Sequence, residues 1–337
     1  MVTANAASRL IQHYVDNLRS LPWRSPPGAP PPDPYAVWLS EVMLQQTTVA
    51  TVIPRFERFL ARWPTVQALA AARDEEILSE WAGLGYYARA RNLIACAREV
   101  VASGGFPRTA AELLKLPGIG AYTAAAIAAI AFSEQAAAVD TNVERVIARL
   151  HSLAEPARIQ TERHLLDLMA RQSPGDVVQA LMDLGANVCR PKQPRCGACP
   201  LSADCTAYAS GAPESFTAPR KRKRKPRPHR YGVTWWVERD RHIWLVRRPA
   251  KGLLGGMAAL PGGDWTETRP PSRSPLGTVR HVFTHFSLDL SVERRSEPVS
   301  EGWWHPVDLL GEVGLPTLYR RAVELALAAG ANSRAAA

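Results

Sequence analysis

The 337-residue sequence predicts a mainly α-helical N-terminal part followed by an α+β C-terminal part. In the first part apolar residues recur at helical spacing, whereas in the second they fall in short runs between glycine and proline turns. A tract of basic residues and prolines separates the two patterns. A chain of 337 residues typically forms about two domains, and the basic tract marks the boundary between them. We therefore predict domains at 1–212 and 231–330, a linker at 213–230 and a disordered tail at 331–337.

The periodic segments give the expected elements in chain order. The predicted helices of the first part are Ser8–Leu18, Pro34–Thr47, Val49–Ala61, Asp74–Ala82, Ala88–Ser103, Thr109–Lys115, Ala121–Ala131, Asn142–Leu150 and Glu162–Gln172. The predicted strands of the second part are Gly232–Val237, Ile243–Arg247, Thr278–Val282 and Ser287–Val292, and the last helix is Leu318–Ala328.

Most of the net charge of +10 lies in the linker. Eight basic residues, Arg220, Lys221, Arg222, Lys223, Arg224, Lys225, Arg227 and Arg230, leave the rest of the chain near +2. Interspersed prolines favour an extended chain. Such a tract is commonly a solvated linker, and near a polyanion it adds salt-sensitive affinity without sequence preference.

Four of the five cysteines, Cys189, Cys196, Cys199 and Cys205, lie within seventeen residues. A single Cys-x2-Cys with wider arms favours an iron–sulfur cluster, and zinc is the alternative. Disulfides are not expected because the amphipathic N-terminus lacks a signal segment, so we expect a reducing, cytoplasmic compartment. We expect no membrane association either, because no apolar run has spanning length.

Glu41 is the first candidate for chemistry. It lies on a helix that Asp33 and Pro34 should begin, and it shares an apolar stripe with Val37 and Leu44. A glutamate in this position either pairs with a cation or lines a cleft. Burial would raise its pKa towards the range of a general acid.

Two further signals follow along the chain. Gly118 and Gly120, in LPGIG, predict a tight turn whose backbone amides could bind a phosphate at the start of the next helix; a plain turn is the alternative. Asp140 is explained locally as a helix N-cap, with Thr141 and Glu144 at capping-box spacing.

Taken together and in this order, these features resemble the helix–hairpin–helix DNA glycosylases that carry an iron–sulfur cluster. The segments WLSEVMLQQT from Trp38, GLGYYARAR from Gly83 and MDLGA from Met182 look like those of the MutY-type adenine DNA glycosylases. The resemblance covers nearly the whole chain. It implies a helix–hairpin–helix glycosylase fold with one 4Fe–4S cluster on the cysteine loop, followed by a Nudix-like, MutT-like domain.

The resemblance also implies a mechanism for hydrolysing the N-glycosidic bond of adenine. Glu41 would protonate N7 of the leaving base, and ionised Asp140 would face the oxocarbenium, a division of labour typical of retaining glycosidases. Tyr122 and Asn142 would hold Asp140 and the sugar. Arg24, in LPWR, matches a position near the base pocket.

The expected partner is double-stranded DNA with adenine opposite 8-oxoguanine or guanine, bound by a monomer. Adenine must leave the base stack before it can react. Gln46, Thr47 and Tyr86 match positions that wedge into the duplex and stack beside the opposite base, although Tyr86 alone could be a core aromatic. The hairpin glycines Gly118 and Gly120 would grip a phosphate, and the cluster would be structural.

The C-terminal domain would check the opposite base. Phe283, Thr284 and His285 stand where the family usually has Phe-Ser-His, and Thr284 keeps the hydroxyl, so lesion discrimination should survive. By local pattern alone, 283–286 is a half-buried strand. The sequence lacks the acidic helix that holds magnesium in Nudix hydrolases, so the domain should bind without hydrolysing nucleotides.

Two alternatives stay open: a related glycosylase with lyase activity, and a DNA-binding protein without catalysis. An endonuclease III-like glycosylase/lyase for oxidised pyrimidines needs a lysine just after the hairpin, where this chain has Tyr122; Lys115 precedes the hairpin, out of register. We therefore expect a monofunctional enzyme. A non-catalytic DNA-damage binder would lack Glu41 or Asp140, and both are present.

Overall fold

The computed structural model describes residues 4–154, 157–216, 226–249, 252–271 and 275–335. By its internal contacts the chain divides into two compact units, Met1–Ala71 with Asn92–Lys221 and Ala72–Arg91 with Arg222–Ala337. The segment Ala72–Arg91, placed in the first domain by the sequence, thus groups with the second unit. Most of the basic tract, 217–225, lies outside the described residues.

The first unit and the segment grouped with the second are helical, as predicted. The helices are α1 Ala4–Asp16, α2 Pro34–Leu44, α3 Val49–Arg62, α4 Val66–Ala71, α5 Asp74–Glu80, α6 Tyr87–Ala102, α7 Ala110–Leu113, α8 Ala121–Phe132, α9 Thr141–Leu150, α10 Arg158–Met169, α11 Pro174–Asn187 and α12 Thr206–Ala209. The prediction that the Glu41 helix reaches Thr47 is wrong: it ends at Leu44, because Gln46 has a φ of 58°. Helices α4, α11 and α12 were not predicted.

Helix α8 forms the centre of the first unit. Its residues from Thr123 to Ala131 are all buried, and their small side chains let α2 and α11 pack closely against it. Helix α11 also packs against α9 and α1. These packings bring the starts of α8 and α9 and the middle of α2 to one cavity.

The second unit contains a mixed sheet within the described residues. Its strands are β1 His229–Arg239, β2 His242–Arg247, β3 Ala258–Ala259, β4 Pro275–Val282, β5 Ser287–Arg295 and β6 Trp303–Pro306. The order is β3-β2-β1-β5-β4, with β6 paired to β2; β1 and β5 are parallel, and the other pairs are antiparallel.

Helix α13 packs on this sheet and closes its core. Leu318, Ala322 and Ala326 belong to one buried apolar cluster with the strand residues Leu288 and Leu290, and the helix packs against β4. The helix spans Thr317–Ala335, so residues 331–335 of the predicted disordered tail are helical. No helix in the described part of the chain is long and apolar enough to cross a membrane.

Candidate active site

Glu41 lies buried on α2 and faces a cavity. The residue is 9% exposed, and burial raises its pKa to about 7. The nearby Asp140 adds to this rise, whereas a hydrogen bond from Tyr122 and the charge of Arg24 oppose it. At neutral pH a large share of Glu41 is therefore protonated and able to donate, which an exposed glutamate would not be.

Asp140 is the N-cap of α9. Its carboxylate accepts from the backbone N–H of Asn142 at 2.9 Å and of Val143 at 2.7 Å, and from Asn142 Nδ2 at 3.0 Å. The predicted capping box on Thr141 is wrong, because Asp140 itself caps the helix and Thr141 is the first helical residue. Three N–H donors thus converge on the Asp140 carboxylate and fix its orientation at the start of α9.

Asn142 is itself held by buried groups. Arg145 Nη2 donates to Asn142 Oδ1 at 2.8 Å and to the Gly185 carbonyl at 2.7 Å, and Arg145 Nε donates to the Cys189 carbonyl at 2.8 Å. A Cβ on Gly185 would lie 2.6 Å from Asn142 Cβ. Arg145 and Gly185 thus fix the side-chain amide of Asn142, which in turn orients Asp140.

One cavity of about 340 Å³ is lined by Glu41, Asp140, Tyr122, Asn142 and Arg24. The structure thereby places all four predicted catalytic residues and the predicted base-pocket arginine together. Tyr122 was expected to hold Asp140, but its hydroxyl hydrogen-bonds to Glu41 instead. Burial and the two carboxylates raise the pKa of Tyr122 well above its usual value, so it is a neutral donor.

Arg24 does not point a free charge into this cavity. It forms two hydrogen bonds with Asp183, at 2.7 and 2.9 Å, and Arg19 also pairs with Asp183. Burial favours neutral Arg24, but the Asp183 carboxylate more than offsets this and raises its pKa. Asp183 lies in the MDLGA segment, and no local signal in the sequence indicates its arginine partners.

Only one of the two hairpin glycines is required by the backbone conformation and by close contacts. Gly118 has a φ of +74°, and a Cβ there would lie 2.5 Å from Asn92 Cβ. Gly120 caps α8 with a φ of −91°, and a Cβ there would meet nothing within 4 Å. Gly118, Gly120 and Ala121 are exposed, so the turn and the start of α8 face solvent.

Gln46 and Thr47 lie in the short connection between α2 and α3. Gln46 is exposed and held in the left-handed region, while the Thr47 N–H donates to the Leu44 carbonyl at 3.2 Å. A left-handed non-glycine residue costs free energy and is common at functional sites. The geometry leaves the Gln46 side chain outside the core.

In the second unit, Tyr86 and Thr284 are hydrogen-bonded to each other. Thr284 Oγ1 donates to the Tyr86 hydroxyl at 3.1 Å. Tyr86 is 44% exposed and has a φ of 49°, so the alternative of a core aromatic is wrong. Both side chains line a cavity of about 440 Å³, together with Phe283 and His285.

The segment 283–286 is a turn between β4 and β5, so the half-buried strand alternative is wrong. The Phe283 N–H donates to the Phe286 carbonyl at 2.8 Å and closes the turn. Phe283 stacks on Trp265 with ring centroids 5.5 Å apart. The two anchored aromatics leave Thr284 and His285 exposed at the tip.

The four predicted cluster cysteines line one small cavity of the first unit, together with Arg149. Arg149 Nη1 donates to Cys189 Sγ at 3.4 Å and to the Arg190 carbonyl at 2.7 Å. Burial raises the pKa of the Cys199 thiol to about 12, and the neighbouring thiols add to the rise. Among the described residues no set of three or more His, Cys, Asp or Glu side chains is arranged to hold a metal ion as it stands.

Comparison with known proteins identifies the class. The model of the HhH-GPD superfamily of base excision DNA repair proteins matches residues 39–171, and a NUDIX domain model matches residues 232–325. Fold and site together therefore define a helix–hairpin–helix base-excision glycosylase with a Nudix-like C-terminal domain, and the predicted fold class is confirmed.

The adenine DNA glycosylase of Mus musculus is 36% identical over 356 residues, covering 85% of this chain and 69% of the relative. The chain belongs to the adenine DNA glycosylase family. Among solved structures, a thermostable thymine-DNA glycosylase is similar with a TM-score of 0.54 and 29% identity, covering 60% of this chain and 95% of that one. Endonuclease III in a trapped covalent DNA intermediate is similar with a TM-score of 0.52 and 26% identity, covering 63% and 99%.

Proposed function

We propose that this adenine DNA glycosylase removes adenine paired with 8-oxoguanine, and also with guanine, using Glu41 as general acid and Asp140 as the group facing the oxocarbenium. One observation carries the proposal: two carboxylates share a cavity but have opposite surroundings. Burial raises the pKa of Glu41 to about 7, whereas Asp140 accepts three N–H hydrogen bonds. Pairs of carboxyls in contrasting environments are typical of glycoside hydrolysis.

The geometry supports the following sequence of steps. A flipped adenine enters the cavity, and Glu41 donates its proton to N7 as the C1′–N9 bond breaks and the bonding electrons leave with the base. The carboxylate of Asp140, held by Asn142, stabilises the positive charge on the sugar until water adds to C1′ and passes a proton to the Glu41 carboxylate, which restores the acid. Tyr122 donates to Glu41 and cannot form an imine with the sugar, so the strand stays intact.

Discrimination of the opposite base is assigned to the hydroxyl pair of Tyr86 and Thr284. The N7 of 8-oxoguanine carries a hydrogen that guanine lacks. A hydroxyl can either donate or accept, so Thr284 can turn from Tyr86 and accept from this N–H. His285 in the second unit and Gln46 in the first are both exposed, and each stays a predicted contact to DNA.

The four cysteines would hold one 4Fe–4S cluster. Four thiols lining one cavity are the donor set that such a cluster takes, and Arg149 beside Cys189 would offset the charge of the thiolates. When bound, the cluster would cross-link Cys189, just after α11, to Cys196, Cys199 and Cys205 and so fix the fold of the loop 189–205. It has no step in base removal. The monomeric state of the enzyme stays a prediction.

The test is single-turnover base release from a duplex with adenine opposite 8-oxoguanine, beside adenine opposite guanine and a thymine-glycol duplex. Half the samples omit alkali. We expect adenine release from both mispairs, with strand breaks only after alkali. Cleavage of the thymine-glycol strand without alkali would instead indicate endonuclease III-like chemistry, and DNA binding without base release would indicate a non-catalytic binder.

A further inference from the structure

The turn 283–286, which carries Thr284, is held at its base by a chain of polar side chains. Ser287, the first residue of β5, follows the turn directly, and its backbone N–H donates to the Pro228 carbonyl at 3.0 Å. Its hydroxyl lies 2.7 Å from Nδ1 of His229, the first residue of β1. The start of β5 is therefore joined to the start of β1 and to the residue before it by a side-chain bond and a backbone bond.

The second ring nitrogen of His229 faces a carboxylate. Its Nε2 lies 3.3 Å from Oδ2 of Asp289, which in turn accepts from Arg280 Nε at 2.8 Å and from Arg280 Nη2 at 3.1 Å. Asp289 is only 9% exposed, and the hydrogen bond from Arg280 lowers the pKa of its carboxyl, so it remains a carboxylate. An Nε2–H that donates to this carboxylate leaves Nδ1 as an acceptor for the Ser287 hydroxyl.

These side chains cross-link the strands on both sides of the turn. Arg280 lies on β4, which enters the turn, and Ser287 and Asp289 lie on β5, which leaves it. In the sheet His229 pairs with Ser287, and Arg280 pairs with Asp289. Leu288 is buried in the core, so strand alternation places Ser287 and Asp289 on the opposite face of β5. We call Arg280, Asp289, His229 and Ser287 the polar clamp.

We propose that His229 is a positioning residue for the check of the opposite base. Through Ser287 the polar clamp fixes the turn 283–286, and with it the direction of the Thr284 hydroxyl. This inference rests on the proposed role of Thr284 in discrimination. A hydrogen bond weakens steeply when its angle falls below about 120°, so the hydroxyl distinguishes two bases well only if the turn that carries it is fixed. Loss of the clamp should therefore reduce selectivity and leave the groups that break the glycosidic bond untouched.

Two substitutions of His229 separate its two bonds. His229→Asn places an amide near the position of Nδ1, so it retains the bond to Ser287, whereas His229→Gln places the amide near Nε2 and retains the bond to Asp289. The ratio of adenine release opposite 8-oxoguanine to release opposite guanine should fall about two- to fivefold in His229→Gln and be largely retained in His229→Asn. Ser287→Ala should lower the ratio as much as His229→Gln, and combining the two should cause no further loss. An equal loss in both His229 variants would contradict the proposed route through Ser287.

Hydrogen exchange in the free protein tests the clamp independently of any lesion. The Phe283 N–H, which closes the turn by donating to Phe286, should exchange about tenfold faster in His229→Gln than in the parent. If the parent does not distinguish the two duplexes but exchange changes as expected, the proposed function is wrong and the positioning of the turn is confirmed. If exchange at the turn is unchanged, or if Thr284→Ala lowers the ratio and His229→Gln does not, the inference itself is wrong.

His305→Gln is the matched control. His305 also lies on a strand of this sheet, and its Nε2 is 3.0 Å from the Leu309 carbonyl. Its strand β6 pairs with β2, and β1 lies between β2 and β5. The control should leave both the ratio and the exchange at the turn unchanged. If it lowers the ratio as much as His229→Gln does, the effect comes from a general loosening of the sheet and the proposal is wrong.

Discussion

The cavity around Glu41 and the cavity beside Tyr86 differ in the charge and in the exposure of the side chains that line them. In the first, buried charges are held by helix starts and by a buried arginine, and Glu41 is only 9% exposed. In the second, exposed neutral hydroxyls sit on turns, and Tyr86 is 44% exposed. Bond breaking requires charges fixed in a low dielectric, whereas checking a base requires groups that can reach it and reverse their hydrogen bonds. Variants in the first cavity should therefore affect rate, and variants in the second should affect selectivity.

The largest expected effect comes from Glu41→Gln. The amide keeps the shape but cannot deliver the proton, so single-turnover adenine release should fall by about 10²–10⁴ while DNA affinity stays nearly unchanged. Rapid-quench base release and a binding titration on the same duplex measure the two effects. If DNA affinity falls together with the release rate, Glu41 serves to stabilise the fold, and the contrast between the two cavities is wrong.

The same carboxyl should set the pH dependence. Release should decrease as pH rises through about 7, because only protonated Glu41 donates. The pKa of Glu41 is higher in the folded than in the unfolded protein. The free energy of unfolding should therefore fall as pH rises from about 4.5 to 7, and above pH 7 the buried carboxylate destabilises the fold by on the order of 3 kcal/mol. Denaturation at pH 8 should therefore show Glu41→Gln to be more stable than the parent. An equal or lower stability would contradict the buried-acid assignment.

Local signals in the sequence predicted much of the first cavity. The Asp33–Pro34 pair does begin the Glu41 helix, and Asp140 is an N-cap. Helix α11 was not predicted because most of its residues are buried, which leaves little amphipathic pattern, although Ser173 and Pro174 are a start signal of the same kind.

Partners distant in sequence could not be predicted. The Arg24–Asp183 pair joins residues 159 positions apart, and the contacts of Arg145 with Gly185 depend on how α9 and α11 cross. The turn at 283–286 was open to a strand interpretation because it contains two phenylalanines and a threonine, residue types that strands favour. Only the tertiary stack of Phe283 on Trp265 decides between the two.

Gly185→Ala tests whether the support of Asn142 matters for rate. The new methyl group would lie 2.6 Å from Asn142 Cβ and displace the amide that holds Asp140. We expect about a tenfold lower release rate and a loss of about 1–3 kcal/mol in stability. Gly175→Ala is the matched control, because its methyl would lie 2.9 Å from Ile130 Cα at the other end of α11. If both variants lose stability and rate equally, Gly185 matters only for packing.

The smallest effect is expected in the second cavity. Thr284→Ala removes the hydroxyl that bonds Tyr86, so the ratio of release opposite 8-oxoguanine to release opposite guanine should fall about three- to tenfold. The maximal rate on either duplex should hardly change, because the groups that break the bond are untouched. Thr284→Ser keeps the hydroxyl and should retain the ratio. Competition between the two duplexes in one reaction measures this ratio. An equal decrease of adenine release from both duplexes would show that Thr284 contributes affinity without selectivity.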